Sequence, residues 1–292
     1  MNQSRGSEVV VVGDVMVDVV VRPGGPLRPG TDRAADIAIG GGGSAANIAC
    51  WLAACGVGVT LVARVGAGDH AAQVTELSDY GVTPRLTPDQ QRPTGRVVAL
   101  IHADGERSFF TDRGANAALR AADLPFALLD GARLLHVSGH ALIGSDAARP
   151  LMREADARGV AVSVDAGSAG WLGADTTDFL ARIATSRFCF ANAHEAALLW
   201  PDGVPVIPDG VVVVTRGRAG ASAHWRGDHA DIAAPPVAVV DTVGAGDGFV
   251  AGFLSAHLRF GGLEACLASA VAVAARAVAG SGGRPVVAHR SS

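Results

Sequence analysis

The segment DTVGAGDGFVAGFLSAHL, residues 241–258, constrains the fold of this 292-residue sequence more tightly than any other stretch. Its small residues at 244–246 predict a tight turn that exposes consecutive backbone N–H groups, and an apolar helix should follow over 248–259. Such a helix directs the positive end of its dipole at whatever occupies the turn. The segment therefore predicts an anion-binding loop, with the carboxylate of Asp247 beside it.

Two interpretations of Asp247 fit this local pattern equally well. In the first, the N–H groups of the turn stabilise a transferring phosphoryl group, and Asp247 takes a proton from the attacking hydroxyl. In the second, Asp247 is a plain N-cap, which is a common role for Asp after a glycine turn. The segment alone leaves both interpretations open.

Composition excludes several classes of protein. Hydrophobic residues make up 49% of the chain and charged residues 18%, which is enough apolar material for a large core. All 24 basic residues are Arg, so a Walker A loop, a protein kinase site and Schiff-base chemistry, each of which needs Lys, are excluded in standard form. The net charge of −4 argues against nucleic acid as the main partner.

The hydropathy pattern bears on location. The sequence has no apolar run long enough for a transmembrane helix, so we predict no membrane partner. The apolar run near the N-terminus is too short for the core of a signal peptide. We therefore expect a cytoplasmic protein.

Periodicity predicts strands that alternate with helices, and hence an α/β fold with a mostly parallel sheet covered on both faces. Two β-rich pieces, 15–39 and 95–112, interrupt the alternation and predict a small sheet standing off the core of one domain that spans 1–292. The second piece contains the hairpin turn signal Asp104-Gly105. The predicted core strands are 8–13, 59–65, 134–138, 160–165, 188–191 and 211–215, and a second hairpin is expected at 221–226 and 229–233.

The glycine-rich segment GGGGSAAN, residues 40–47, predicts a loop that opens a helix. It fits a dinucleotide-binding pattern weakly, because the preceding strand is short and no acidic residue ends the following one. Alternatively, Gly42 and Gly43 let a sugar approach the backbone while Asn47 presents a donor and an acceptor. A helix start that merely needs glycine is the third interpretation.

Other polar residues follow predicted strands. Asp14 and Asp18 come after the first strand and suit a polyhydroxylated ligand, with a solvated strand end as the alternative. Arg113 follows the second β-rich piece and is a candidate anion contact. Asn192 and Glu195 read as a capping box or as functional groups. The turn at 215–220 either admits a nucleotide or is a surface turn.

These motifs, in this order, resemble the PfkB-type carbohydrate kinases, the ribokinase-like family. The resemblance runs from Val9 to about Val287: the segment from Gly42 is similar to the family's amino-terminal signature, and the segment from Asp241 to its carboxyl-terminal signature. It implies a three-layer αβα core with a β-sheet lid, ATP with Mg²⁺, and the hydroxymethyl group of a small sugar or sugar acid as acceptor.

The resemblance also implies roles for individual residues. Asp247 would be the catalytic base, and Glu195 would organise Mg²⁺ through water. Asp241 and Val243 match part of a loop that binds a monovalent cation, K⁺, in many members. The anion hole would be Gly244, Ala245, Gly246 and Asp247; the sugar contacts Asp18, Gly42, Gly43 and Asn47; and the nucleotide contacts Asn192, Thr215, Gly217, Gly220 and Ser269. Asp14 and Arg113, singled out above from their places after the strands, are added to the candidate substrate contacts.

Departures from ribokinase concern the acceptor. Met16 replaces an Asn, Ser44 a Lys, and Gly139 a sugar-binding Glu, which together disfavour ribose. A nucleoside kinase of the same fold is the main rival, with Met16, Phe109 and Phe110 as its apolar slot for the base. A non-catalytic sugar or nucleotide sensor is the rival from another class. Family members often dimerise through the lid, so a homodimer through the lid is a further expectation.

Overall fold

Four consecutive valines, Val9–Val12, form the first strand, β1, and all four are fully buried. A strand that is apolar on both faces has to lie between two layers of structure. β1 occupies the interior of a nine-stranded sheet and pairs in parallel with both of its neighbours.

The computed structural model describes residues 7–102, 107–173, 176–207 and 209–286, so the predicted Asp104-Gly105 turn lies outside the described residues. The strands after β1 are β2 (Met16–Pro23), β3 (Ala35–Gly42), β4 (Val59–Gly66), β5 (Thr83–Asp89), β6 (Gly95–Ile101), β7 (Arg107–Asp112), β8 (Leu134–Val137), β9 (Ala161–Asp165), β10 (Phe188–Asn192), β11 (Val211–Thr215), β12 (Ala221–Trp225) and β13 (Asp228–Ile232). The helices are α1 (Ser44–Ala54), α2 (His70–Asp79), α3 (Gly139–Leu142), α4 (Arg149–Ala157), α5 (Ala169–Leu172), α6 (Thr177–Ile183), α7 (Ala193–Leu199), α8 (Ala245–Phe260) and α9 (Leu263–Val278).

The large sheet has the order β13-β12-β11-β10-β9-β8-β1-β4-β5. Its pairings are parallel except at one edge, where β12 and β13 form the predicted second hairpin and run antiparallel. Alternate residues of β1 enter two different cores: Val9 and Val11 pack with α1, α8 and α9, whereas Val10 and Val12 pack with α4, α6 and α7. The predicted three-layer αβα architecture is therefore confirmed.

The small sheet has the order β3-β2-β6-β7 and is built from the two β-rich pieces. β3 extends to Gly42, so the first three glycines of the 40–47 segment belong to a strand and not to the loop that we predicted. They remain extended because β2 pairs with them along their whole length, from Met16 opposite Gly42 to Asp18 opposite Gly40.

The sequence pattern missed the edge strand β5, whose sequence TPRLTPD contains two prolines. Proline cannot donate to a strand ladder and is tolerated mainly at sheet edges. β5 lies at the outer edge of the large sheet, where only β4 pairs with it. Its position therefore makes the two prolines acceptable.

Candidate active site

A cavity of about 720 Å³ opens where the carboxyl ends of the core strands meet the small sheet. Ligands of open α/β folds bind at this edge of the sheet. The structure brings eight of the predicted site residues together in its lining: Asp14, Asp18, Gly43, Asn47, Arg113, Val243, Gly244 and Asp247.

The turn before α8 has the geometry of an anion-binding loop. Gly244 is the N-cap of α8 and adopts a left-handed conformation, with φ of 76°. A Cβ atom there would stand 2.5 Å from the Cα atom of Gly283, so only glycine fits. The helix begins at Ala245, which places Asp247 inside the first turn. The N-cap interpretation of Asp247 is therefore wrong, because the backbone turn starts the helix three residues earlier.

The carboxylate of Asp247 is held by two side chains of α1. Ser44 donates from Oγ to Oδ1, and Asn47 donates from Nδ2 to Oδ2, each over 2.8 Å. Removal of the carboxyl group from water raises the pKa of Asp247 to about 7, although both of these hydrogen bonds lower it. A carboxylate that titrates near neutral pH is well matched to general-base catalysis.

Asp14 has a structural task as well as a place in the cavity wall. Its carboxylate accepts hydrogen bonds from the backbone N–H groups of Ser44 and Ala45, at 2.9 and 3.4 Å, and so caps α1 from a distant part of the chain. Gly43 has φ of 93°, and a Cβ atom on it would stand 2.6 Å from the carbonyl oxygen of Asp14. The start of α1 is thus packed directly against the end of the first strand.

Asp18 lies close to Gly42, and an arginine that the sequence pattern did not single out lies on the other side of the glycines. Arg284 donates to the carbonyl oxygen of Gly42 over 3.2 Å and pairs with Glu76 of α2 over 2.5 Å. Burial raises the pKa of Asp18 to about 6; the charge of Arg284 lowers it, and that of Asp14 adds to the rise. Nothing local marks Arg284, because its partners lie far away in sequence.

Arg113 lines the cavity, but its guanidinium group is already engaged with the wall. It donates to the backbone oxygens of His140, over 2.6 Å, and Ile143, over 3.5 Å. Gly139 precedes these residues, and a Cβ atom on it would stand 2.4 Å from the carbonyl oxygen of Asp165. This close approach explains physically why position 139 carries no side chain here.

Two of the residues predicted to bind nucleotide, Asn192 and Thr215, end the neighbouring strands β10 and β11, where they are paired in register. Asn192 and Glu195 form both hydrogen bonds of a capping box at the start of α7. Gly217 and Gly220 have positive φ, at 54° and 90°, and a Cβ atom on Gly220 would overlap a backbone oxygen of β13. The turn therefore needs its glycines, whatever it binds.

Two further predicted residues, Ser269 and Asp241, lie outside strands β10 and β11. Ser269 is half-buried on α9, where its carbonyl oxygen faces Gly252 of α8. The buried carboxylate of Asp241 accepts hydrogen bonds from the backbone N–H groups of Val243 and Gly282, at 3.0 and 3.2 Å. Asp241 thereby ties the turn before α8 to the segment that follows α9.

The apolar part of the cavity differs from the predicted slot. Met16 and Phe109 line the cavity, but Phe110 faces the opposite side of the small sheet and is 62% exposed, because successive strand residues alternate in direction. Trp171, on α5, lines the cavity and was missed. The only signal for it was its position just after a core strand.

The fold described above is that of the ribokinase-like kinases. The chain belongs to the pfkB family of carbohydrate kinases, whose model matches residues 7–289. The family that the motifs resemble is therefore confirmed, and so is the predicted enzyme class, an ATP-dependent carbohydrate kinase.

Individual relatives differ in acceptor. The chain is 31% identical to an ATP-dependent ribose-1-phosphate kinase of Halopiger xanaduensis, over 84% of this chain and 82% of that one. It is also 31% identical to a nucleoside kinase of Methanothermobacter thermautotrophicus, over 79% and 76% of the two chains. Sugar and nucleoside kinases are thus both among the relatives.

A solved structure supports the fold. A putative ribokinase II of E. coli in complex with ATP and Mg²⁺ aligns with a TM-score of 0.78 and 21% identity, over 95% of this chain and 94% of that one. Within the residues that the structure describes here, no helix has the length and apolar character needed to cross a membrane.

Proposed function

We propose that this protein transfers the γ-phosphoryl group of ATP to a hydroxymethyl group of a small sugar or sugar acid, with Asp247 as the general base. The observation that carries the proposal is the placement of Asp247. Its carboxylate lies in the cavity, in the first turn of α8, and directly follows a glycine turn whose N–H groups belong to the positive end of the helix dipole.

The proposed step needs a base and an anion site at the same point. As the acceptor oxygen forms its bond to the γ-phosphorus, the O–H bond breaks and the proton passes to Asp247. The bond between that phosphorus and the β–γ bridging oxygen breaks, and ADP leaves with the electron pair. The backbone N–H groups after Gly244 would stabilise the charge on the transferring group.

The chain offers a fitting place for ATP and Mg²⁺. Thr215, Gly217 and Gly220 would approach the nucleotide, with Ser269 on the neighbouring α9. The described residues contain no group of three or more His, Cys, Asp or Glu that would hold a metal ion alone. This fits Mg²⁺, which usually keeps water ligands and binds through one or two carboxylates and the substrate's phosphates. Glu195, a buried carboxylate, and Asn192 would supply the protein side.

The acceptor end of the cavity favours a hydroxylated ligand that also carries an anionic group. The carboxylate of Asp18 would accept hydrogen bonds from the hydroxyl groups, and the amide of Asn47 would both accept and donate them. A guanidinium group has five N–H donors, so Arg113, beyond its two bonds to the wall, would meet a carboxylate or phosphate together with His140 in the same cavity. The relative that phosphorylates ribose 1-phosphate supports an anionic sugar as acceptor.

A nucleoside is the second candidate acceptor, and the cavity wall supports it. Met16, Phe109 and Trp171 provide apolar and aromatic surface beside the polar groups. Aromatic side chains stack readily on a planar base. The relative that is a nucleoside kinase supports the same acceptor class.

A coupled assay of ADP formation tests the function. The purified protein is assayed with ATP, Mg²⁺ and a panel of pentoses, hexoses, keto-deoxy acids, sugar phosphates and nucleosides. We expect one class of acceptor to stimulate ADP formation, and Asp247→Asn to lower kcat by roughly 10²–10⁴ while ATP still binds. A variant with near-full turnover would overturn the assignment of the base. Acceptor binding without any ADP release would instead support a sensor.

Two further proposals concern K⁺ and assembly. A monovalent cation beside Asp241 and Val243 would raise kcat, which is tested by exchanging K⁺ for tetramethylammonium.

The outer face of the small sheet exposes Ile37, Ile39 and Phe110, at 58, 72 and 62%, so we propose that a second copy covers it. Sedimentation of the wild type and of Ile39→Asp tests this, with a monomeric wild type as the contradicting result.

A further inference from the structure

Ser44 connects the starts of two helices that are far apart in the sequence. It is the first residue of α1, and its hydroxyl donates to Oδ1 of Asp247, in the first turn of α8, across 203 positions of the chain. Its side chain is half-buried and also lines the cavity. No predicted role covers this contact.

We infer that Ser44 is a positioning residue that fixes the carboxylate of Asp247 in the orientation needed to receive the acceptor's proton. The inference rests on the proposed function, in which Asp247 is the base. Asn47 holds Oδ2 and Ser44 holds Oδ1. A carboxylate has about four acceptor positions, so each oxygen keeps one for the acceptor hydroxyl.

The main chain of Ser44 is rigidly placed, which makes the hydroxyl an effective anchor. Its N–H donates to Oδ2 of Asp14 over 2.9 Å, and the preceding Gly43 has a conformation that other residues rarely adopt. Only one side-chain torsion of Ser44 then remains to be fixed, so the anchor costs little conformational entropy. A substitution by Ala removes the hydroxyl and keeps the backbone bond to Asp14.

Without Ser44, Asp247 would keep a single side-chain donor. Its carboxylate would rotate more freely about the Cβ–Cγ bond, because only Asn47 would still restrain it. The acceptor hydroxyl would then spend less time aligned with the base. The hydrogen bond from Ser44 also favours the ionised form of the carboxylate, so the loss of this bond raises the pKa of Asp247. Both effects reduce turnover and neither changes the contacts of the acceptor's other hydroxyl groups.

Because Ser44 lines the cavity, a direct contact with the acceptor is the competing explanation. The two are separated by steady-state kinetics. A positioning residue lowers kcat with KM for the acceptor nearly unchanged, whereas a direct contact that is equally strong before and during the reaction raises KM with kcat unchanged.

The experiment compares Ser44→Ala with Ser44→Thr, which keeps the hydroxyl. For Ser44→Ala we expect kcat to fall about ten- to a hundredfold and the acid limb of the kcat–pH profile to move to higher pH. In Ser44→Thr, both kcat and the position of the acid limb should stay close to their wild-type values. Ser78→Ala, which deletes a hydroxyl that bonds a backbone oxygen on α2, is the matched control and should behave as wild type. Melting curves of all variants check the fold.

A double variant separates this inference from the proposed function. If Ser44 acts through Asp247, Ser44→Ala should have no further effect in an Asp247→Asn background. An inactive Asp247→Asn together with a fully active Ser44→Ala would overturn only the role of Ser44. A fully active Asp247→Asn would overturn the base itself. A raised KM with unchanged kcat in Ser44→Ala would show direct contact instead.

Discussion

The carboxylate of Asp18 occupies the space that a side chain on Gly42 would need: a Cβ atom at position 42 would stand 2.1 Å from its Oδ1. Gly40 belongs to the same strand, yet a Cβ atom on it would meet nothing within 4 Å. A side chain would therefore fit at position 40 but not at position 42, and position 42 is the one that lies against the proposed acceptor site.

Gly42→Ala is expected to displace Asp18 and weaken acceptor binding. The added methyl group overlaps the carboxylate, which must rotate away and lose its alignment with the acceptor. We expect KM for the acceptor to rise roughly ten- to a hundredfold, and the free energy of unfolding to fall by about 1–3 kcal/mol, as is usual for overpacking. Gly40→Ala is the control and should match the wild type in both measurements. Equal KM values for the two variants would contradict the prediction.

Asp18→Ala should affect the acceptor and not ATP. A carboxylate accepts hydrogen bonds from two hydroxyl groups, and each charge-assisted bond is worth about 1.5–3 kcal/mol. KM for the acceptor should therefore rise tens- to thousandsfold, with some loss of kcat. The affinity for a non-hydrolysable ATP analogue, measured by calorimetry without acceptor, should stay within about twofold. A loss confined to the nucleotide would mean that the acceptor binds elsewhere.

Activity should fall as the pH is lowered, in two steps. The pKa of Asp247 is raised to about 7 and that of Asp18 to about 6, and both carboxylates must be ionised to work. The value of kcat/KM should therefore decline below pH 7 and more steeply below pH 6, since it reports on groups of the free enzyme. Asp18→Asn should leave only the limb near pH 7. A profile that is flat down to pH 5 would exclude both assignments.

Two substitutions of Glu195 separate its structural role from a role with Mg²⁺. Gln at this position keeps the capping box but removes the charge, so Glu195→Gln should melt like the wild type and need more Mg²⁺ for half-maximal rate. Glu195→Ala breaks the capping box as well and should lose about 0.5–2 kcal/mol of stability. If Mg²⁺ titrations of Glu195→Gln and wild type coincide, Glu195 serves only as a cap.

Arg284→Met removes the positive charge near Asp18. Since that charge lowers the pKa of Asp18, its loss should move the corresponding limb of kcat/KM to higher pH. Stability should also fall, by about 1–3 kcal/mol, because the buried guanidinium group holds Gly42 and Glu76. Arg284→Lys keeps the charge and should leave the limb near its wild-type position. An unshifted limb in Arg284→Met would contradict the electrostatic link.

The sequence alone determined the layers of this protein and the order of most of its elements. Apolar runs such as Val9–Val12 predict buried strands because their periodicity is local and needs no knowledge of neighbours. Local periodicity likewise placed α8 near Asp247 and the small sheet at the two β-rich pieces. It failed at β5, because only the pairing with β4 shows that this stretch is an edge strand.

Tertiary structure alone decided which distant partners the polar groups have. The hydrogen bonds that hold the carboxylate of Asp247 come from Ser44 and Asn47, which lie about 200 positions away. The partnership of Arg284 with Gly42 spans 242 positions. Hydrogen bonds and charges act through space over a few ångströms, whereas sequence patterns report only on near neighbours along the chain. The motifs therefore predicted many of the residues that meet in the cavity but not Ser44 or Trp171, and the packing of α1 against α8 set the geometry of the contacts with Asp247.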